Sequence, residues 1–160
     1  SYLRTMKRLI PVLLILTACS GDPIDELKGA DSITFGQFFG FCQGEQCIEI
    51  YKLTSSGLYE DITDKYPGRD EPYSGDFRKM PEEKFQLAKG FEAKIPGELL
   101  SQKERVIGMP DAGDWGGYYV EVSINGERQF WLIDKNQYYL PESLKPFASE
   151  LGTLIGQLSN

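Results

Sequence analysis

The sequence predicts an α+β domain in which an antiparallel sheet of five to seven strands is covered by two helices. Short segments alternate apolar and polar residues, as half-buried strands do, and Asn125-Gly126 between two of them is a strong hairpin signal. Two longer segments, residues 81–95 and 140–158, repeat apolar residues at helical spacing. Because strands with one apolar face need a cover, we expect both helices to lie on the sheet within a single domain, residues 31–160.

The first half of this domain contains three predicted strands, a long loop and a helix. Residues 32–42 and 47–54 are rich in β-branched and aromatic side chains, and residues 58–62 follow a Ser-Gly turn. Residues 64–80 carry two prolines, two glycines and alternating charges, so they predict a loop of the length that is usually functional or mobile. The helix 81–95 begins with Pro-Glu-Glu, which suits the positive end of a helix dipole, and a Pro-Gly pair follows it.

The second half of the domain is built around the predicted hairpin. Residues 105–109 are expected to form a short strand, and residues 118–124 and 128–133 are the two alternating arms of the hairpin. Residues 138–139 are expected to add a further short strand. In the final helix the apolar residues recur at i, i+3, i+4 and i+7, which predicts a core-facing stripe. This stripe consists of Leu144, Phe147, Ala148, Leu151, Leu154, Ile155 and Leu158.

The segment before the domain has the three parts of an export signal. A basic head at Lys7 and Arg8 is followed by an apolar run, residues 9–18, which ends on small residues before Cys19. Ten residues fall well short of the roughly 20 that a membrane-spanning helix needs. The pattern therefore favours export over a membrane span or a buried core helix. Residues 1–5 precede the natural-looking start at Met6 and are either an upstream start or an added remnant.

The end of this leader, Leu16-Thr17-Ala18-Cys19, resembles the lipobox of bacterial lipoprotein precursors. The resemblance implies that residues 1–18 are a signal peptide and that Cys19 becomes the acylated first residue of the mature protein. Several acyl chains would anchor the protein firmly in a membrane, since each buried methylene contributes about 0.8 kcal/mol.

The residues after Cys19 complete this localisation hypothesis. Residues 19–30 are polar and acidic, and we expect them to be a tether between the lipid anchor and the domain. Enteric lipoproteins that stay in the inner membrane carry Asp after the cysteine, whereas this chain has Ser20. The resemblance therefore implies an outer-membrane lipoprotein of the bacterial cell envelope, which faces the periplasm or the cell surface.

Charge and composition exclude several classes of function. Residues 19–160 carry 14 basic and 24 acidic side chains, a net charge of −10, which repels nucleic-acid phosphates and anionic headgroups. We therefore expect no nucleic-acid partner, and the membrane contact is expected through the acyl chains alone. The chain has no histidine, which excludes Ser-His-Asp and Cys-His catalysis and histidine-bearing zinc sites. No cofactor or metal site is expected.

The cysteines form an even set once Cys19 is set aside. Cys42 and Cys47 remain, and a bridge between them would close the mouth of the first predicted hairpin. Two buried thiols or a metal-binding pair are the alternatives. A lone C-x4-C lacks a second pair of ligands, and an exported protein meets oxidising conditions, so the pattern favours a disulfide.

Two aspartates in a glycine-rich turn are the main candidates for chemistry. Asp111 and Asp114 lie in residues 110–117, but their spacing does not supply the alternating oxygen ligands of a calcium loop. A structural Asp-Gly turn is the simplest interpretation. The alternative is an acid/base pair, with Glu121 as a third carboxylate.

The aromatic residues of the last third and of the long loop are the main candidates for recognition. We expect a non-enzymatic binding module for an envelope protein, a peptide or a saccharide, because loops and aromatic side chains concentrate binding energy. The alternatives are a carbohydrate- or cell-wall-active hydrolase and a structural envelope subunit. A cleft with two carboxylates would favour the hydrolase, and a flat or convex surface would favour binding. The expected contact surface consists of Trp115, Tyr119, Tyr139, Tyr66, Arg69 and Tyr73.

Overall fold

A sheet of seven strands forms the centre of the computed structural model, which describes residues 29–160. The expected signal peptide, Cys19 and most of the expected tether lie outside the described residues. The strands are β1 Ser32–Phe38, β2 Ile48–Thr54, β3 Gly57–Asp61, β4 Phe77–Lys79, β5 Val106–Ile107, β6 Gly117–Ile124 and β7 Glu127–Asp134. Their order across the sheet is β4-β3-β2-β1-β6-β7-β5, and all neighbours are antiparallel except β5 and β7.

Helices cover one face of this sheet. They are α1 Glu82–Ala88, α2 Gly97–Leu100 and α3 Lys145–Leu158, and short 3₁₀ turns lie at Glu45–Cys47, Phe91–Lys94, Ala112–Asp114, Gln137–Tyr139 and Glu142–Leu144. The predicted stripe of α3 is buried against strand side chains that alternate toward this face, such as Phe35, Val120 and Trp131. The single α+β domain with an antiparallel sheet and helical cover is therefore confirmed.

Within residues 29–160, no helix lies over the second face of the sheet. Its smaller apolar cluster combines strand side chains with Tyr73, which comes from the segment between β3 and β4. This segment crosses the face and closes part of it. The cluster consists of Phe38, Ile50, Tyr73, Tyr119, Phe130 and Leu132.

The first helix differs from its prediction because a glycine interrupts it. Residues 81–95 were expected to be one helix, but α1 ends at Ala88, and Gly90 adopts a left-handed conformation with φ of 87°. Left-handed backbone is accessible to glycine and ends a helix. Phe91 and Ile95 remain buried after the break, so the core contacts that the apolar pattern predicted are made by an irregular segment.

Other boundaries also differ from their predictions, among them the start of the final helix, which lies at Lys145 instead of residue 140. The strand 32–42 ends at Phe38, because Gly40 donates to Asp111 across the end of the sheet and the chain turns away. The loop 64–80 contains the short edge strand β4, whose residues pair with β3. Residues 138–139 form a 3₁₀ turn instead of a strand, since Asn136 accepts a hydrogen bond from the backbone N–H of Tyr138.

Cys42 and Cys47 are joined by a disulfide, with their Cα atoms 5.6 Å apart. The bridge closes the connection between β1 and β2, as the cysteine count predicted. The backbone N–H of Phe39 donates to the carbonyl of Cys47 at the same mouth, so the two strands are held together just before they separate.

Candidate binding surface at the loop end

Four connecting segments meet at one end of the sheet, which we call the loop end. β1 and β7 finish there, and β2 and β6 begin there. The segments are residues 39–47, 62–76, 108–116 and 135–144. Loops at a shared end of a rigid sheet are common positions for recognition residues, because the sheet fixes where each loop begins.

Asp111 fastens three of these segments to one another. One carboxylate oxygen accepts from the backbone N–H of Gly40 and from the hydroxyl of Tyr66, each at 2.9 Å, and the other accepts from the N–H of Gly116 at 3.1 Å. Burial and the hydrogen bond to Asp111 raise the pKa of Tyr66 to about 12, so its hydroxyl remains a donor at neutral pH. Asp111 is thus a structural acceptor at the junction of the loops.

Two further aspartates act in the same way on neighbouring segments. Asp134, at the end of β7, accepts from the N–H groups of Met109 and Asn136. Asp61, at the end of β3, accepts from the backbone of Asp76 at 2.7 Å and from the hydroxyl of Tyr73 at 2.6 Å. Both aspartates are buried. Charge-assisted hydrogen bonds of this kind hold loops in fixed positions, so the loop end is a pre-formed surface.

The loop end carries most of the large apolar side chains that are exposed in residues 29–160. Phe41 and Tyr138 are each 84 % exposed and Trp115 is 70 % exposed. Side chains exposed to this degree protrude from the surface, so the loop end is convex around them. The set consists of Phe41, Ile62, Tyr66, Met109, Trp115, Tyr138 and Tyr139.

These side chains fall into two neighbouring groups. The first group contains Tyr66 and Trp115. The rings of Tyr66 and Phe38 meet edge to face, with centroids 5.1 Å apart, and the Tyr66 hydroxyl donates to Asp111, which lies in the same short segment as Trp115. The rings of Tyr138 and Tyr139 meet edge to face at 5.2 Å. Residues 108–116 link the two groups, because Met109 donates its backbone N–H to Asp134 and Gly116 donates its backbone N–H to Asp111.

The structure places four of the six predicted surface residues at the exterior and two in the interior. Trp115, Tyr139, Tyr66 and Arg69 are exposed. Tyr119 is fully buried and Tyr73 is 5 % exposed, so these two are corrected from contact residues to core residues. The reason for Tyr119 is strand alternation: it faces away from Tyr118, but the face to which it points is closed by the segment that carries Tyr73.

Tyr119 and Tyr73 belong to a buried hydrogen-bond network on the second face. The Tyr119 hydroxyl donates to Glu121 and accepts from the backbone N–H of Tyr73. Arg128 donates to both oxygens of Glu121, at 2.7 and 2.9 Å, and to the carbonyl of Tyr73 at 2.6 Å. Burial and the Glu121 carboxylate raise the pKa of Tyr119, and the hydrogen bond to Glu121 raises the pKa of Arg128.

Glu121 lies apart from the other two candidate carboxylates. Glu121 is 2 % exposed and paired with Arg128, and it lies four residues into β6, roughly 13 Å from the loop end. The Asp111 carboxylate accepts three hydrogen bonds, and Asp114 is exposed in the same turn. The turn itself is the structural one that the simplest interpretation of the sequence predicted.

Sequence reasoning missed Phe41 and Met109 as surface residues and left Tyr138 out of the expected contact surface. Phe41 was assigned to the end of a strand, and the available signal against this was Gly40 directly before it. Tyr138 was likewise assigned to a strand, although Asn136 two residues earlier is a typical residue for starting a turn.

Within residues 29–160, no group of three or more acidic or cysteine side chains is arranged to hold a metal ion. Over the same range, no helix has both the length and the apolar character needed to cross a bilayer. Comparison of the chain with family models, with curated proteins and with solved structures finds no match. Functional inference therefore rests on the geometry of the domain and on the leader.

Proposed function

We propose that this chain is a lipid-anchored binding module of the bacterial cell envelope, which contacts a protein partner through the loop end. The observation that carries the proposal is the set of protruding aromatic side chains on loops that aspartate hydrogen bonds hold in place. The anchor is Cys19, by the resemblance of the leader to a lipobox.

Protruding aromatic side chains favour a macromolecular partner over a small ligand. A small ligand gains most of its affinity in a concave site that encloses it, whereas Phe41, Trp115 and Tyr138 project into solvent. Clustered exposed aromatic residues are typical of protein–protein contacts, in which tryptophan and tyrosine contribute a large share of the binding energy.

Fixed loops lower the entropic cost of binding. A loop that becomes ordered only on binding loses part of its contact energy to that ordering. At the loop end, Asp111 and Asp134 already hold the segments that carry Trp115, Met109 and Tyr66. This arrangement favours a recognition surface and gives the carboxylates a role other than catalysis.

The position of the chain entry supports the same proposal. Asp31 donates its backbone N–H to Ser123 and accepts from Gly126 through its side chain, so the chain enters beside the Asn125-Gly126 turn. This is the opposite end of the sheet, and the seven residues of β1 separate it from the loop end by roughly 20 Å. A tether that arrives at this end leaves the loop end accessible to a partner.

The partner contact is tested by one substitution in each of the two aromatic groups. Trp115→Ala combined with Tyr138→Ala should abolish capture of an envelope protein by the full-length protein from detergent-solubilised envelopes of its source cells. Leu87→Ala is the matched control, since Leu87 is an exposed apolar residue on α1, away from the loop end. Quantitative mass spectrometry of the captured proteins and the thermal midpoint of each variant are the measurements.

Each outcome of this experiment bears on the proposal. A protein captured by the wild type and by Leu87→Ala, but not by the double variant, supports the loop-end contact if the thermal midpoints agree. Equal capture by all three proteins contradicts it. A large fall in the midpoint of the double variant shows that these side chains support the core, and the proposed surface is then wrong.

The anchor is tested separately by fractionation. Cys19→Ala should release the protein from the membrane fraction, because no acyl chain can be attached without the thiol. If the variant remains in the membrane at the wild-type level, the lipoprotein proposal is wrong, whatever the result at the loop end. Hydrolysis of a glycan or peptidoglycan fragment that is lost on Asp114→Asn would instead favour the hydrolase.

A further inference from the structure

The second face of the sheet carries a polar cavity of about 240 Å³ near the end at which the chain enters. Its floor is made by neighbouring strands. Ser32 of β1 pairs with Ser123 of β6, and Thr34 is the next residue of β1 that points to the same face. The segment that contains Tyr73 forms one wall. The cavity is therefore built by the sheet and by the same segment that closes the smaller apolar cluster.

The three floor residues present hydroxyl groups to the cavity. Ser32, Thr34 and Ser123 are buried as residues, yet their hydroxyls make no hydrogen bond to another described residue. None of these oxygens is sealed from solvent without a partner. Because all three residues line the cavity, their unused donors and acceptors are available to a ligand bound there.

The charged side chains of the lining are both cationic. Lys52, which pairs with Thr34 across the sheet, holds its ammonium 5.6 Å from the centroid of the Phe77 ring and makes no ion pair with a described carboxylate. Arg128 has its guanidinium fixed by Glu121 and by the carbonyl of Tyr73. Among residues 29–160, no carboxylate lines the cavity, although the chain has 24 acidic and 17 basic residues.

We propose that this cavity binds a hydroxylated organic carboxylate of the sugar-acid class. The ligand carboxylate would accept from the Lys52 ammonium, which has no other anionic partner among the described residues. The floor hydroxyls both donate and accept, so they match the hydroxyl groups of such a ligand. The rings of Tyr73 and Phe77 offer apolar surface for its carbon skeleton. This site shares only residues 73–75 with the segments of the loop end and does not depend on the protein contact proposed there.

The test uses chemical-shift mapping on the isotope-labelled full-length protein in detergent. Glucuronate and gluconate are the carboxylate probes, glucose is the uncharged counterpart and sulfate is an anion without hydroxyl groups. The carboxylates should shift the backbone resonances of Ser32, Thr34 and Ser123, and glucose should bind at least about tenfold more weakly, the factor that corresponds to one charge-assisted hydrogen bond.

Two lysine variants make the result specific. Lys52→Met removes the ammonium and keeps most of the side-chain stem, and it should weaken binding of the carboxylates by about tenfold. Lys103→Met removes one positive charge from an exposed position outside this cavity and should leave the affinity unchanged. The Trp115→Ala and Tyr138→Ala variant should also bind the carboxylates normally, which separates this site from the loop end.

Four results would overturn the proposal. The first is an absence of shifts at the floor residues with both carboxylates. The second is equal binding of glucose and glucuronate, since the charge would then have no role. The third is equal loss of affinity in Lys52→Met and Lys103→Met, which would reduce the effect to net charge. The fourth is sulfate that binds as tightly as glucuronate, which would exclude the sugar-acid class.

Discussion

Aspartate side chains at strand ends organise the loops of this protein. Asp61, Asp111 and Asp134 each accept backbone N–H groups from a segment remote in sequence or from the turn that follows them. A carboxylate that accepts several hydrogen bonds fixes the groups that donate to it. The sequence shows such a residue only as an aspartate in a turn, because the donors are brought to it by the fold.

The role of Asp111 is tested by an isosteric change. Asp111→Asn keeps the side-chain shape and tolerates the left-handed backbone at this residue, where φ is 62°, but it removes the charge and one of the two accepting oxygens. At least one of its three donors then loses its acceptor. We expect the free energy of unfolding to fall by about 1–3 kcal/mol, measured by urea denaturation.

Asp114→Asn is the matched control for this prediction. Asp114 lies in the same turn, also has a left-handed backbone with φ of 63°, and is exposed. Its substitution should change stability by less than about 0.5 kcal/mol. Equal effects of the two changes would show that loss of negative charge, and not loss of the hydrogen bonds of Asp111, determines the result.

At the scale of elements, apolar periodicity located the buried residues better than it located the helices. All seven predicted stripe residues of the final helix are buried, although Leu144 lies in a 3₁₀ turn before α3. Phe91 and Ile95 are buried beyond the end of α1. The pattern reports which side chains meet the core, whereas the ends of helices depend on local backbone at residues such as Gly90.

Two glycines of α3 provide a prediction for this element. Gly156 is exposed, and a Cβ atom there would meet nothing within 4 Å, so Gly156→Ala should stabilise the protein by up to about 1 kcal/mol through helix propensity. A Cβ atom at Gly152 would lie 2.4 Å from the hydroxyl oxygen of Tyr118, a rigid buried side chain. Overpacking there should outweigh the propensity gain and leave a net loss of about 1 kcal/mol.

Chemical denaturation of the two alanine variants measures this difference directly. Both substitutions have the same propensity effect in the same helix, so their difference isolates the contact with Tyr118. Equal stabilisation in both would show that Tyr118 moves aside without cost, and α3 would then be less tightly packed on the sheet than the structure indicates.

At the scale of the whole molecule, the sequence predicted the sheet but not the use of its second face. Alternation assigned Tyr118 and Tyr119 to opposite faces correctly, and the confirmed disulfide followed from the cysteine count. The burial of Tyr119 depends on the segment that carries Tyr73, which crosses the face because Asp61 and Arg128 hold its backbone. Contacts between residues so far apart in sequence leave no local pattern. For the same reason, no sequence pattern predicted the polar cavity.

Ionisation of the tyrosines links both faces of the sheet to alkaline stability. Burial raises the pKa of Tyr51 and Tyr118 on the helix-covered face and of Tyr73 and Tyr119 on the second face, all from an ordinary value of 10.0. A raised folded-state pKa contributes stability that is complete below pH 10 and is lost as the pH rises toward the folded-state value. Burial lowers the pKa of Lys135, so this residue instead makes the free energy of unfolding rise with pH, up to its ordinary pKa of 10.5.

We therefore expect the free energy of unfolding to fall steadily above about pH 10.5, by roughly 1.4 kcal/mol per pH unit for each tyrosine that ionises only on unfolding. Urea denaturation at stepped pH measures the slope, and tyrosinate absorbance should rise together with unfolding instead of before it.

Tyr118→Phe is the informative variant, because the Tyr118 hydroxyl makes no hydrogen bond to a described residue, and burial is what raises its pKa. The variant should retain its stability at neutral pH and show a slope smaller by one tyrosine. Stability that stays constant from pH 10.5 to pH 12, or tyrosinate that forms in the folded protein, would show that these side chains are reached by solvent.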